Sequence, residues 1–291
     1  MKKTIVLVFV FLVAYSSLQG QLLWQVTGKN QVKPSYLFGT HHLIPIQFLD
    51  SVPGLFKAFN RCDIVISEMH LNQENDMRKL QKASILPDNI TLMDLLDEED
   101  YNLVDQELKA VLNLGLKEMG MLNPEIISTM YVTELYRKSV GLTGDVQSDS
   151  YFQSVASFQE KQVIGLENVD QQIAILLGNK SLEEQAKDLV ESVQTKEEVL
   201  KQTLTLDSLY RKGNIEALMK LSLEEMTPGE YYLLVDKRNS DWMEQLPAYI
   251  DKSPCFIAVG ALHLGGDDGL IALLKAAGYK VKAVKDEKVI K

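Results

Sequence analysis

Histidine is scarce in this chain, and its placement is patterned. Of four histidines in 291 residues, three follow short apolar runs that end on glycine. Tyr36-Leu37-Phe38-Gly39 leads into Thr40-His41-His42-Leu43, and Phe256-Ile257-Ala258-Val259-Gly260 leads into Ala261-Leu262-His263-Leu264. Each run closes in Gly-x-x-His-Leu. Two more apolar runs end on a carboxylate: Cys62 to Ser67 on Glu68, and Gln162 to Leu166 on Glu167. Open α/β sheets bind ligands beyond the carboxyl ends of their parallel strands. If the four runs are parallel strands, His42, Glu68, Glu167 and His263 share one rim. Two imidazoles with one or two carboxylates form a ligand set for a divalent transition metal. Glycine ahead of each histidine lets the chain turn sharply off its strand.

The competing reading of any one histidine is a hydrogen-bonded surface or core residue. The spacing matches neither His-Glu-x-x-His nor Cys-x-x-Cys. From the residues alone, a shared metal or catalytic site and a purely structural role both stand. Glu68 favours function, because an unpaired carboxylate ending a buried strand is costly. Strand alternation sends His41 and His42 different ways, so no more than one of the two is expected as a ligand. His70 is expected to face solvent, and Asp149 and Glu160 to lie on helix surfaces. Arg238 and Asn239, near Trp242 on a helix, read as a surface pair. No Gly-x-Ser-x-Gly elbow, P-loop or Gly-x-Gly-x-x-Gly is present, which removes support for serine-hydrolase and nucleotide readings.

The elements that would position these residues are legible in outline. Strands are expected over Leu22 to Val26, Tyr36 to Phe38, Cys62 to Ser67, Gln162 to Leu166, Cys255 to Val259 and Lys280 to Val284. Helical spacing appears over Phe48 to Asn60 and Asp268 to Ala277. Between the two ends, residues 72 to 250 are mostly amphipathic helix, interrupted by the Gln162 to Leu166 strand. The expected fold class is therefore α/β: a central, largely parallel sheet built from two βαβ-type halves at the two ends of the chain, with a long helical insertion. One domain is expected over residues 21–291.

Composition narrows the partners. A net charge of −10 and the absence of any Lys/Arg block argue against nucleic acid. Lys2 and Lys3, the apolar Thr4 to Tyr15 and the small, polar Ser16 to Gly20 read as a signal peptide over residues 1–20. The expected location is secreted or periplasmic, with no integral membrane insertion after cleavage. Cys62 and Cys255 each begin a strand, so they are either a disulfide between parallel neighbours or two buried thiols.

Tyr36-Leu37-Phe38-Gly39-Thr40-His41-His42, Val65-Ile66-Ser67-Glu68, Val163-Ile164-Gly165-Leu166-Glu167, Arg238-Asn239 with Trp242, and Val259-Gly260-Ala261-Leu262-His263-Leu264-Gly265-Gly266 together resemble the TraB/GumN family. That family is related to the Tiki metalloproteases and, more distantly, to ChaN-like and erythromycin-esterase-like proteins. The resemblance covers about Leu23 to Val284. It puts the family's Gly-x-x-His histidines on His42 and His263, its strand-end glutamate on Glu68, its Gly-Leu-Glu on Glu167 and its Arg-Asn on Arg238 and Asn239.

What the resemblance implies is a metal-dependent, peptidase-like hydrolase. His42 and His263 would hold a divalent ion, with Glu68 as third ligand or general base. Arg238 and Asn239 would stabilise an oxyanion, and Glu167 would orient a histidine or support the metal from behind. Manganese, cobalt and zinc are compatible, with the first two favoured by the resemblance. The substrate would be a peptide or another small carbonyl compound. The alternative is a non-catalytic metal- or haem-binding protein on the same fold.

Overall fold

A computed structural model describes residues 21–28, 33–70, 74–142 and 148–285. The expected signal peptide lies outside the described residues. Six strands form one sheet: β1 (Leu23–Thr27), β2 (Ser35–Thr40), β3 (Ile64–Met69), β4 (Gln162–Glu167), β5 (Cys255–Gly260) and β6 (Lys280–Ala283). Each expected strand is present, with ends shifted by a residue or two. The sheet order is β4-β3-β5-β2-β1-β6. β5 pairs in parallel with both β2 and β3, and β4 in parallel with β3. Only β1 runs the other way, antiparallel to β2 and β6.

The halves are interleaved rather than set side by side. β5, from the C-terminal end, is inserted between β2 and β3, so the N-terminal strand-helix-strand unit closes around it. The crossover over residues 46–60 is a 3-10 turn (Ile46–Ser51) followed by a short helix (Leu55–Asn60), where one continuous helix was expected from residue 48. Pro53 cannot donate in a helix interior, and Gly54 takes a left-handed φ of 72°.

The central strands are buried on both faces, as unbroken apolar runs require. On one face Phe38, Phe59, Phe152 and Phe256 pack in edge-on, tilted and stacked pairs, with centroids 4.8 to 6.2 Å apart. On the other, Leu37, Ile66, Ile257 and Val259 meet Trp242, Leu246, Ile250, Leu264 and Leu270. Each large side chain buried in this way contributes about 1.5–3 kcal/mol. Cys62 belongs to the first face and Cys255 to the second. Both are free, buried thiols, each pushed up to about 12 chiefly by burial.

The insertion has a core of its own. Leu92, Val104, Leu108, Ile127, Tyr131, Leu189 and Val193 form a separate apolar cluster among the helices Glu98–Leu112, Pro124–Ser139 and Leu182–Gln194. Among the described residues, no helix is long and apolar enough to cross a membrane.

Candidate active site

Because β2, β3, β4 and β5 are parallel, their carboxyl ends form one rim. Glu68 is the penultimate residue of β3, Glu167 ends β4, and His263 sits three residues past the end of β5 in a 3-10 turn (Ala261–His263). The helix Lys237–Met243 lies over them and buries Arg238, Asn239 and Trp242. It is entered through a π-helical turn, Tyr232–Asp236, in which the Lys237 N–H donates to the Tyr232 carbonyl. Such a turn holds one more residue than α geometry and so re-phases everything after it. Arg238 and Asn239, expected on the surface from their residue types, are buried by this packing.

Arg238 is the hub. Its Nε donates to Glu167 Oε1 at 2.7 Å, and its Nη2 donates to Glu167 Oε2 at 3.0 Å and to Glu68 Oε2 at 2.6 Å. Nη1 donates to the Leu234 carbonyl at 3.2 Å and lies 3.2 Å from His263 Nε2. A guanidinium has five N–H groups, and these contacts use all five. His263 Nε2 must therefore accept, which places the ring proton on Nδ1. The network assigns the same tautomer from the other side. Asn239 Nδ2 donates to the carbonyls of His263 (3.3 Å) and Asp268 (2.9 Å), so Asn239 Oδ1 faces Nδ1 at 2.8 Å and accepts its proton.

The electrostatics follow. Burial pushes His263 down to about 4; Glu68 opposes that shift and Arg238 adds to it. The ring is neutral at pH 7. Burial would raise Glu68, but His263, Arg238 and the hydrogen bonds from the Gly260 N–H (2.7 Å) and Arg238 outweigh it and hold the carboxyl at about 2. Arg238 stays charged: burial lowers its pKa, and hydrogen bonding to Glu167 and the charge of Glu68 more than restore it. Glu68 Oε1 and His263 Nε2 stand 3.8 Å apart, and the Glu68 side chain keeps 23% exposure while that of His263 keeps 5%.

Glu167 takes a different part from the one expected. Its carboxylate accepts from Arg238, from Trp242 Nε1 at 2.8 Å and from Gln172 Nε2, so it anchors the guanidinium rather than a histidine. Asn239 and Arg238 likewise have their donors engaged within the protein, which makes them positioning residues here rather than free oxyanion donors. Gln172 was not singled out in the sequence. The available signal was Asn168, which caps the helix Val169–Leu177 directly after Glu167 and so folds its first turn back onto the strand end.

His42 is placed differently from His263. It lies on the rim in the turn after β2, but exposed. The turn is pinned by Ile44, buried in the Phe38 face, and by His41, whose Nδ1 accepts from the Leu43 N–H at 3.1 Å and whose ring packs against Tyr210 at 5.1 Å. Among the described residues no three His, Cys, Asp or Glu side chains are grouped to hold a metal ion. The expected three-donor set of His42, Glu68 and His263 is therefore not assembled. Two of its donors are, and they suit a divalent ion in kind: an ionised carboxylate, and a neutral imidazole whose Nδ1–H is held by an amide oxygen. His70 is half-buried rather than solvent-facing, Glu160 is exposed as expected, and the side chain of Asp149 lies outside the described residues.

A model of the TraB/PrgY/gumN family matches residues 22–283. Among curated proteins, the chain is 22% identical over 311 residues to metalloprotease TIKI2 of Danio rerio, covering 89% of this chain and 60% of that protein. It is 23% identical over 326 residues to a metalloprotease TIKI homolog of Nematostella vectensis, covering 91% of this chain and 67% of that protein. The chain thus spans about three-fifths to two-thirds of the length of these relatives. No solved structure matches.

Proposed function

The chain belongs to the TraB/PrgY/gumN family, and from that premise we propose that it is a metal-dependent hydrolase acting on peptides or other small carbonyl substrates. The observation that carries this reading is the pair at the rim: a neutral His263 with its Nε2 lone pair and an ionised Glu68, 3.8 Å apart and both oriented by Arg238. The relatives named metalloproteases support the reaction class.

Glu68 and His263 would hold the ion, with His42 as the third donor from the neighbouring strand end. Manganese, cobalt and zinc all accept this donor set. Such an ion supplies Lewis-acid polarisation of a carbonyl oxygen and a nucleophile at neutral pH. The protein's own residues prepare the place for it. With its carboxyl held at about 2, Glu68 is a weak base and a good ligand, which favours the ligand role over the general-base role. Asn239 keeps the His263 proton on Nδ1, so Nε2 carries the lone pair, which accepts from Arg238 Nη1 here and would turn to the ion on binding. Arg238 holds Glu68 and His263 in register, and Glu167 with Trp242 and Gln172 keeps Arg238 in place. Burial of His263 against Trp242, with ring centroids 4.4 Å apart, excludes water from its inner side.

The amino-terminal pattern of Lys2, Lys3 and the apolar run after them supports export to the periplasm or the exterior, and cell fractionation checks it. Metal content of the purified protein, with His263→Ala and His42→Ala beside it, tests the site. The expected result is one divalent ion in the parent, at least tenfold weaker binding in His263→Ala and a smaller loss in His42→Ala. Equal metal content in all three proteins removes the proposal. A haem absorption band without peptide hydrolysis would replace it with the binding-protein alternative.

A further inference from the structure

The rim carries a second imidazole built like His263. His70 lies just past the end of β3, two residues after Glu68, and is half-buried. Its Nδ1 is 2.9 Å from Gln153 Oε1, while Gln153 Nε2 donates to the Met69 carbonyl at 3.1 Å. The second bond fixes the amide: its NH2 end faces the carbonyl, so its oxygen faces the ring and Nδ1 carries the proton. Nε2 is left as an acceptor. Asn239 does the same for His263, tying Nδ1 to a side-chain amide that is itself anchored on backbone carbonyls. The backbone of His70 is set as closely. A Cβ placed on Gly165 of β4 would stand 2.6 Å from the His70 nitrogen, so only glycine there lets the chain leave β3 along this path.

Beside this pair opens a cleft of about 320 Å³, lined by Met69, His70, Ser150, Gln153, Ser154 and Ser157. The serines share one side of the helix Ser148–Phe158 at four- and three-residue spacing. None of the lining residues is Asp, Glu, Lys or Arg, so the cleft offers hydrogen bonds without a formal counter-charge. The helix packs on the Phe38 face of the sheet, through Phe152 and Ala156, whereas Arg238 and Trp242 cover Glu68 from the other face. Cleft and Glu68 therefore meet across the end of β3. His70 is two residues on from Glu68, about 7 Å at strand spacing, which is also two residues of an extended peptide.

We infer that this cleft is a substrate subsite that takes a small, uncharged hydroxyl or carboxamide side chain (serine, threonine or asparagine) one or two residues from the scissile carbonyl, with His70 Nε2 accepting its hydrogen. This rests on the hydrolase reading above. A leucine at that position would leave the acceptor unpaired, and a lysine or glutamate would enter without an opposite charge. Ser154, exposed on its helix, is the point at which a bulky side chain closes the cleft.

The test uses the purified protein, metal-loaded for cleavage, with capped hexapeptides varied one position at a time. Wild type is compared with His70→Phe, Ser154→Trp and Gln153→Leu, each checked for folding by circular dichroism. Wild type is expected to prefer serine over leucine at one position, and the ratio of kcat/KM values for the two should fall about tenfold in His70→Phe and in Ser154→Trp, the worth of one neutral hydrogen bond. Cleavage by both variants with the preference intact overturns the subsite and leaves the hydrolase reading standing. If wild type cleaves no peptide, the hydrolase reading fails, and fluorescence anisotropy of the same peptides, labelled, decides the cleft. Binding of the serine peptide weakened about tenfold in both variants supports it; equal binding overturns it. Long-range proton–nitrogen NMR of the His70 ring should find the proton on Nδ1 in wild type and a tautomer mixture in Gln153→Leu. A proton on Nε2 in wild type overturns the assignment.

Discussion

The two Gly-x-x-His turns begin as near copies and end as opposites. β2 and β5 are parallel neighbours in register, Thr40 against Gly260, so both turns leave the sheet side by side. After β5 the chain coils into a 3-10 turn, Leu264 enters the core, and both nitrogens of His263 meet Asn239 and Arg238. After β2, Ile44 is buried on the opposite face, His41 is held by its own backbone and Tyr210, and His42 is exposed. The motif brings a histidine to the rim. Which groups meet it there depends on the layer of helices above.

Breaking that layer should have the largest effect. Arg238→Met leaves Glu68 and Glu167 without their shared cation, Glu167 being nearly inaccessible. Removing one partner of a buried ion pair costs about 3–5 kcal/mol, so urea unfolding should show a loss of that order together with loss of metal binding. A loss below about 1 kcal/mol, the usual worth of an exposed pair, would mean the hub is not buried in solution.

The tautomer clamp comes next. Asn239→Leu removes the acceptor of the His263 Nδ1–H and a donor to two carbonyls. Metal affinity or activity should fall about 10–100-fold, as when such orienting partners are removed elsewhere. His42→Ala, at an exposed position in its turn, should fall less. An Asn239→Leu protein with unchanged metal affinity would erase the contrast between the turns.

Acid should reveal the same asymmetry. His263 is neutral in the fold with a pKa of about 4, and Glu68 is ionised with a pKa of about 2. Both values are lower than in the unfolded chain, so the unfolded state binds more protons and stability falls as pH drops. The His263 contribution is expected between about pH 6.5 and 4, and that of Glu68 from about 4.5 towards 2. Urea midpoints across that range should decline in the parent. The decline above pH 4.5 should flatten in His263→Gln.

The smallest effect tests how closely the turns abut. A Cβ on Gly39 would stand 3.0 Å from the Ala261 Cα and 3.1 Å from Leu264 Cδ2. Gly39→Ala should therefore cost about 1–3 kcal/mol by overpacking and should disturb His263 before His42. Ring signals of His263 that stay in place would show that the turns move independently.

Much of this was legible in the residues. All six strands announced themselves as apolar runs bounded by turn residues, and the parallel rim followed from their order with the helices between them. Glu68 and His263 could be nominated because a polar residue at the end of a buried run must be paired or used. Gln172, Gln153 and the role of His70 were not legible, since their partners lie on other elements. The partner of Glu167 was not legible for the same reason: a strand-end carboxylate can serve a histidine, a metal or an arginine equally well, and the sequence does not say which arrives.

What the sequence determined by itself was local: hydrophobic periodicity set the strands and helices, glycine set where the chain could turn, and side-chain type set which groups could bind or titrate. What only the tertiary structure decided was convergence. Arg238 is 170 residues from Glu68 and 71 from Glu167, and it meets them because a π-turn re-phases its helix while Trp242 buries that helix against the sheet. Hydrogen bonds are short and directional, so a residue's chemistry depends on a few ångströms of packing that no local pattern encodes. That is why the chain could offer two histidines in the same motif, and the fold could bury one of them between Asn239 and Arg238 while leaving the other exposed.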